Sequence, residues 1–87
     1  MGFIVKCLLL LQLISAPDEV ELSNISPDCM QQFEQLYHRI TFLEDNHIGY
    51  SLTVEQTTRS DNKLFVKVII LYGDNQQQII VFEDLEL

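Results

Sequence analysis

The chain is 87 residues long and 47% apolar, and it carries 13 Asp and Glu against 5 Lys and Arg, for a net charge of −8. A chain of this length makes one domain that buries roughly 60–65% of its unfolded surface, and its apolar content excludes a disordered polypeptide. The charge excludes direct nucleic-acid binding, which needs Lys and Arg clustered on phosphates, and for the same reason argues against docking to an anionic membrane.

The first sixteen positions, Met1 to Ala16, support two readings. Lys6, the apolar run Cys7 to Ile14 and the small pair Ser15-Ala16 have the order of a secretory signal peptide. Against that, Phe3-Ile4-Val5 sets bulky residues ahead of Lys6, and Gln12 interrupts the apolar run. Ile14 stands where a small residue is wanted, and Pro17 follows the cut. Removal would also leave Cys29 alone, an odd count for a secreted chain. The run is well short of the roughly 20 residues a membrane-spanning helix needs. As a retained element it is buried nearly all round. Its Leu content favours a helix and Phe3-Ile4-Val5 a strand. Periodicity does not separate the two for a continuous apolar run, and the reading leans to a strand joining the sheet described below.

Residues Ala16 to Ile25 form a polar connection with the acids Asp18, Glu19 and Glu21, and a short edge strand from Val20 to Leu22 is one option. Ser26-Pro27-Asp28 is a helix start: a side-chain acceptor at the cap, Pro at the first helical position, and an acid at the positive end of the dipole. Cys29, Met30, Phe33, Leu36, Tyr37, Ile40 and Leu43 then recur at three- and four-residue steps, which predicts an amphipathic helix from Pro27 to about Glu44. Asp45 to Gly49 breaks it.

From Gly49 to Leu85 the pattern changes to period two. Tyr50, Leu52 and Val54 alternate with Ser51, Thr53 and Glu55, a strand with one dry face. Arg59 to Lys63 reads as a hairpin loop. Leu64 to Tyr72 is β-branched and aromatic, with Leu64, Val66, Val68, Ile70 and Tyr72 on one face and Phe65, Ile69 and Leu71 flanking Lys67 on the other. Gly73-Asp74-Asn75 is a turn, Gln78 to Phe82 a third strand, and Glu83 to Leu87 an acidic end. The expected fold is α+β: one helix on a three-stranded antiparallel meander, extended or covered by the apolar N-terminal segment, as a single domain over residues 1–87. One helix shelters one sheet face. Phe65, Ile69 and Leu71, with whichever of Ile80 and Phe82 share their side, need another cover.

The residues with chemical potential are few. Glu34 and His38 stand one helical turn apart, the spacing for a carboxylate that orients an imidazole, but such pairs are commonly plain surface contacts. Glu44, Asp45 and His47 crowd a helix end and are read as that rather than as metal ligands. Cys29, in the first helical turn, has no base placed beside it, and neither cysteine belongs to a zinc-type spacing. Both are read as buried small hydrophobes. The glycines are isolated, so no phosphate loop exists. The chain is therefore expected to be non-enzymatic, without cofactor or metal: a small acidic protein-interaction module, inhibitor, adaptor or assembly subunit, working inside the cell. Its contact residues are expected among Phe65, Lys67, Ile69 and Leu71 and the acidic clusters Asp18, Glu19, Glu21 and Glu83, Asp84, Glu86. The partner would be another protein, a basic one as one option, in a homodimer or hetero-complex, with no nucleic acid and no membrane. The alternative is a small secreted binding protein that has lost residues 1–16.

Overall fold

The computed structural model describes residues 2–16, 22–60 and 63–86. Helix α1 spans Gly2–Leu10 and helix α2 spans Pro27–Asp45, with a short 3-10 turn at Leu22–Asn24 between them. Strands β1 (Tyr50–Ser60), β2 (Lys63–Tyr72) and β3 (Gln76–Glu86) form a three-stranded antiparallel sheet in the order β1-β2-β3. The α+β meander is therefore as its sequence predicts. Both outer strands are longer than their apolar runs: β1 continues to Ser60, and β3 takes in the acidic end as far as Glu86.

Helix α2 begins as its sequence dictates. Ser26 is in extended backbone and its hydroxyl accepts from the Cys29 N–H at 3.2 Å, with Pro27 next and Asp28 in the first turn. Its far end closes by a Schellman motif. The His47 N–H donates to the Glu44 carbonyl (3.1 Å) and the Ile48 N–H to the Leu43 carbonyl (2.9 Å), with His47 left-handed at φ 56°. The buried stripe is Cys29, Phe33, Leu36, Ile40 and Leu43.

The N-terminal segment corrects the lean towards a strand: it is a helix. Ile4, Cys7, Leu8 and Leu11 are buried while Lys6, Leu9 and Leu10 are exposed. That is a helical stripe hidden inside an almost uniformly apolar run. The same Schellman device ends it. Gln12, left-handed at φ 61°, donates its N–H to Leu9 (3.0 Å), and the Leu13 N–H reaches Leu8 (3.0 Å). The polar residue that interrupts the apolar run is thus the residue at which the helix stops. The short edge strand expected from Val20 to Leu22 is not formed at Leu22, which opens the 3-10 turn; Val20 lies outside the described residues.

One core holds the layers together. Ile4, Cys7, Leu8, Leu11 and Ile14 join the α2 stripe and Val66, Val68, Ile70, Ile80, Phe82 and Leu85 of the sheet. Helix α1 packs on α2, and α2 on β3. Both helices therefore serve the same sheet face. In β3 a bulge lies between the pairs Leu64↔Leu85 and Val66↔Phe82, so that Glu83 and Asp84 together stand opposite Phe65. Asp84 is left-handed at φ 54°. This extra residue shifts the alternation by one position and returns Leu85 to the core, where it is fully buried.

Candidate functional site

The sheet face turned away from the helices is the surface most in need of explanation. Register follows from the turn between β2 and β3. Gly73 (φ 57°), Asp74 and Asn75 (φ 64°) occupy the loop, and Tyr72 pairs with Gln76 across it. Ile69 is thereby set opposite Ile79, Lys67 opposite Val81 and Leu71 opposite Gln77. On the other side Thr57 pairs with Phe65, Glu55 with Lys67, Thr53 with Ile69 and Ser51 with Leu71. Strict alternation puts all these residues on one face. The core takes Ile80 and Phe82, so neither shares the side of Phe65, Ile69 and Leu71; Ile79 and Val81 do.

This face is apolar over β2 and β3 and hydroxylic over β1. Leu71 is 44% and Ile79 46% exposed. Phe65, Ile69, Val81 and Lys67 are half-buried, and the row Ser51, Thr53, Glu55 and Thr57 is exposed. None of its apolar residues belongs to the core shared by the helices and the opposite sheet face. The N-terminal segment, which the sequence offered as a cover, lies with α2 instead. Lys67 and Glu55 stand directly across the strand pair, where Cβ atoms are about 4.5–5.5 Å apart. By the same alternation Lys63, paired with Glu86, and Glu83 beside Phe65 fall on this face too, so its described charges are mixed and gather towards the end at Lys63.

The C-terminal acids stand at the end of β3, where the edge of this face meets the start of α2. Glu83 and Asp84 are exposed and Glu86 is half-buried. With Asp28, Lys63 and Cys29 they line an open cleft of about 570 Å³ between the start of α2 and the end of β3. The Cys29 thiol donates to the Glu83 carbonyl at 3.4 Å, tying the two elements together. Asp18, Glu19 and Glu21 lie outside the described residues. Among the described residues no group of three His, Cys, Asp or Glu side chains is arranged to hold a metal ion.

The other polar candidates have structural neighbours. Glu44 accepts from the Tyr50 hydroxyl at 3.1 Å, and burial together with that carboxylate pushes the Tyr50 pKa up. His47 is the left-handed residue of the α2 cap. His38 stands edge-on to Tyr37, with ring centroids 6.2 Å apart, beside a groove shared with Glu34, Arg39, Phe42 and Gln78. Arg39 is fixed there, donating to the Gln78 side-chain oxygen at 2.6 Å and lying against the rings of Tyr72 and Phe42 at 5.4 and 5.8 Å. Cys7 and Cys29 are both free and buried, and burial pushes the Cys7 thiol up to about 11, with Lys6 pulling weakly the other way.

Sequence reasoning missed Ile79, Val81 and Glu55 as members of the open face. The three-residue length of the Gly73-Asp74-Asn75 turn is the signal that could have found the first two, because turn length sets register. Compared with known proteins, the chain matches no family, no curated sequence and no solved structure. No helix among the described residues is long and apolar enough to cross a membrane.

Proposed function

We propose that this chain is a non-enzymatic protein-interaction module that docks through its open sheet face. The observation that carries the proposal is the pair Leu71 and Ile79, each more than two-fifths exposed, on a face where Ile69, Val81 and Phe65 also lie. A sheet in a two-layer fold buries one face, and its other face is ordinarily polar. A contiguous apolar surface there marks a contact.

Retention of residues 1–16 is part of the proposal. Without them the core loses Ile4, Cys7, Leu8, Leu11 and Ile14, which weighs against a secreted binding protein that lacks this segment. Two free, buried thiols suit a reducing compartment inside the cell. The acidic end at Glu83, Asp84 and Glu86 would favour approach of a partner whose rim is basic.

Hydroxyl-radical footprinting tests the docking surface. Labelling of Leu71 and Ile79 should be strong in the purified chain at high dilution and suppressed in the native cell. Equal labelling of both residues in the two settings would sink the proposal.

A further inference from the structure

Strand β1 leaves one edge of the sheet open, and the pattern of its backbone bonds limits what fits there. The Gly73 N–H donates to the Gly49 carbonyl at 3.4 Å, which makes these two residues a hydrogen-bonded pair. Such pairs alternate along an antiparallel ladder, and the register runs without a shift from Tyr50↔Tyr72 to Thr58↔Leu64. Ser51, Thr53, Glu55 and Thr57 therefore direct their N–H and C=O groups to β2. Those of Leu52, Val54 and Gln56 point away from the sheet, and the described residues form no hydrogen bond to them.

Sheets ordinarily guard such an edge with a bulge, a proline, lysines or shortness. From Tyr50 to Thr58 β1 has no bulge, no Pro and no Lys, and Glu55 is its one charge. The opposite edge, β3, carries the Glu83–Asp84 bulge and lies against α2. The core also thins at β1. Val68 and Ile70 are fully buried, whereas their partners Val54 and Leu52 are half-buried at its margin.

The geometry points to β1 as the docking edge for an extended segment of a basic partner protein, which adds a fourth strand, antiparallel to β1. Only an extended chain can meet donors and acceptors that recur at every second residue along one line. On the helix side the segment brings apolar residues beside Leu52 and Val54 and lengthens the core by one row. On the open face it runs beside the exposed row of Thr53, Glu55 and Thr57, with Lys or Arg across from Glu55. That position is a non-hydrogen-bonded pair, where side chains stand closest. Glu55 already faces Lys67 on β2, and a carboxylate has lone pairs for a cation on either side.

A second copy of this chain does not supply that cation. β1 has no Lys or Arg from Tyr50 to Thr58, so no register of β1 on β1 within that stretch sets one against Glu55, and each copy brings a net charge of −8. The inference rests on the interaction-module reading above and adds to it the edge that borders the open face and the chemistry of the segment that pairs there.

Amide hydrogen exchange followed by NMR on the full chain tests it. In the free chain the Leu52, Val54 and Gln56 amides should exchange at least about tenfold faster than those of Thr53 and Glu55. The probe is a nine-residue synthetic peptide, capped at both ends, of threonine and valine in alternation with lysine in place of the central threonine. At saturation it should slow the three open amides by at least about tenfold and leave Thr53 and Glu55 as they were. The same peptide with glutamate in the lysine position should bind at least about fivefold more weakly. Gln56→Pro removes an outward N–H and no bond to β2, so Thr53 should stay slow while peptide affinity falls more than about tenfold. Four results overturn the inference. The three amides could already be slow in the free chain, as a second copy on the edge would make them. The lysine peptide could fail to slow them at millimolar concentration, the two peptides could bind equally, or Gln56→Pro could leave binding intact. None of these outcomes bears on the open face, whose own test is the labelling of Leu71 and Ile79.

Discussion

Phe33 on α2 and Phe82 on β3 lie with ring centroids 4.5 Å apart and planes tilted by 40°, both fully buried. This contact fastens the long helix to an edge strand of the sheet. Either residue cut to Ala should destabilise the chain by about 3–5 kcal/mol. In a double-mutant cycle the pair should retain about 1 kcal/mol of coupling beyond its area. Gln35→Ala, on the exposed side of α2, should be nearly silent in the same urea titrations. Comparable losses for Gln35 and Phe33 would mean that the buried stripe is wrongly placed.

The rotation of α1 is open to a direct check. Leu8 is fully buried and Leu10 is 43% exposed, although both sit in one apolar run. Leu8→Ala should cost about 2–5 kcal/mol and Leu10→Ala less than about 0.5 kcal/mol. Deleting residues 1–16 should leave a remnant that aggregates or unfolds without cooperativity. A remnant that unfolds cooperatively at the wild-type temperature would show that α1 contributes nothing to the core.

Both helices stop at a left-handed residue that bears a side chain, Gln12 at φ 61° and His47 at φ 56°. Glycine takes that conformation without the Cβ clash. Gln12→Gly and His47→Gly should each raise stability by about 0.5–1 kcal/mol, and additively, since they close separate helices. Thermal melts at neutral pH read the effect. Loss of stability in both variants would contradict the cap geometry.

The Cys7 thiol is pushed from an ordinary 9.0 up to about 11 by burial. The folded state therefore resists ionisation that the unfolded state accepts. The stability tied to this group is complete below pH 9 and is lost as pH rises towards 11, with a full span of roughly 2–3 kcal/mol. Cys7→Ala should flatten that part of the stability profile. At pH 8 iodoacetamide should leave Cys7 unmodified in the folded chain and modify it in urea; rapid labelling of the native protein would show that the thiol is accessible.

Local chemistry made much of this fold legible. The Ser26-Pro27-Asp28 start, the three- and four-residue recurrence from Cys29 to Leu43 and the alternation from Tyr50 to Val54 each carry their own period or cap, so they read directly. Met1 to Ala16 did not, because an apolar run hides its helical stripe from any pattern count. The strand ends were underread because Gln76, Gln77 and the acids after Phe82 pair along the backbone regardless of side-chain polarity. The surplus apolar face around Phe65, Ile69 and Leu71 was visible from alternation in β2. Its remaining apolar members depended on a register, which is a relation between strands and not a property of either.

The bulge at Glu83 and Asp84 is a place where this strand can lose a residue without exchanging its faces. Both side chains are exposed, and the left-handed backbone of Asp84 (φ 54°) suits Gly or Asn as well as Asp. Phe82 lies inward opposite Val66 and Leu85 inward opposite Leu64, and the two acids share the single place opposite Phe65. Removing Asp84 alone would leave Glu83 in that place in regular pairing, with Leu85 still opposite Leu64 and still turned to the core. A one-codon deletion there straightens the strand and keeps its inside inside. Variation within this segment should therefore extend to the loss of one residue.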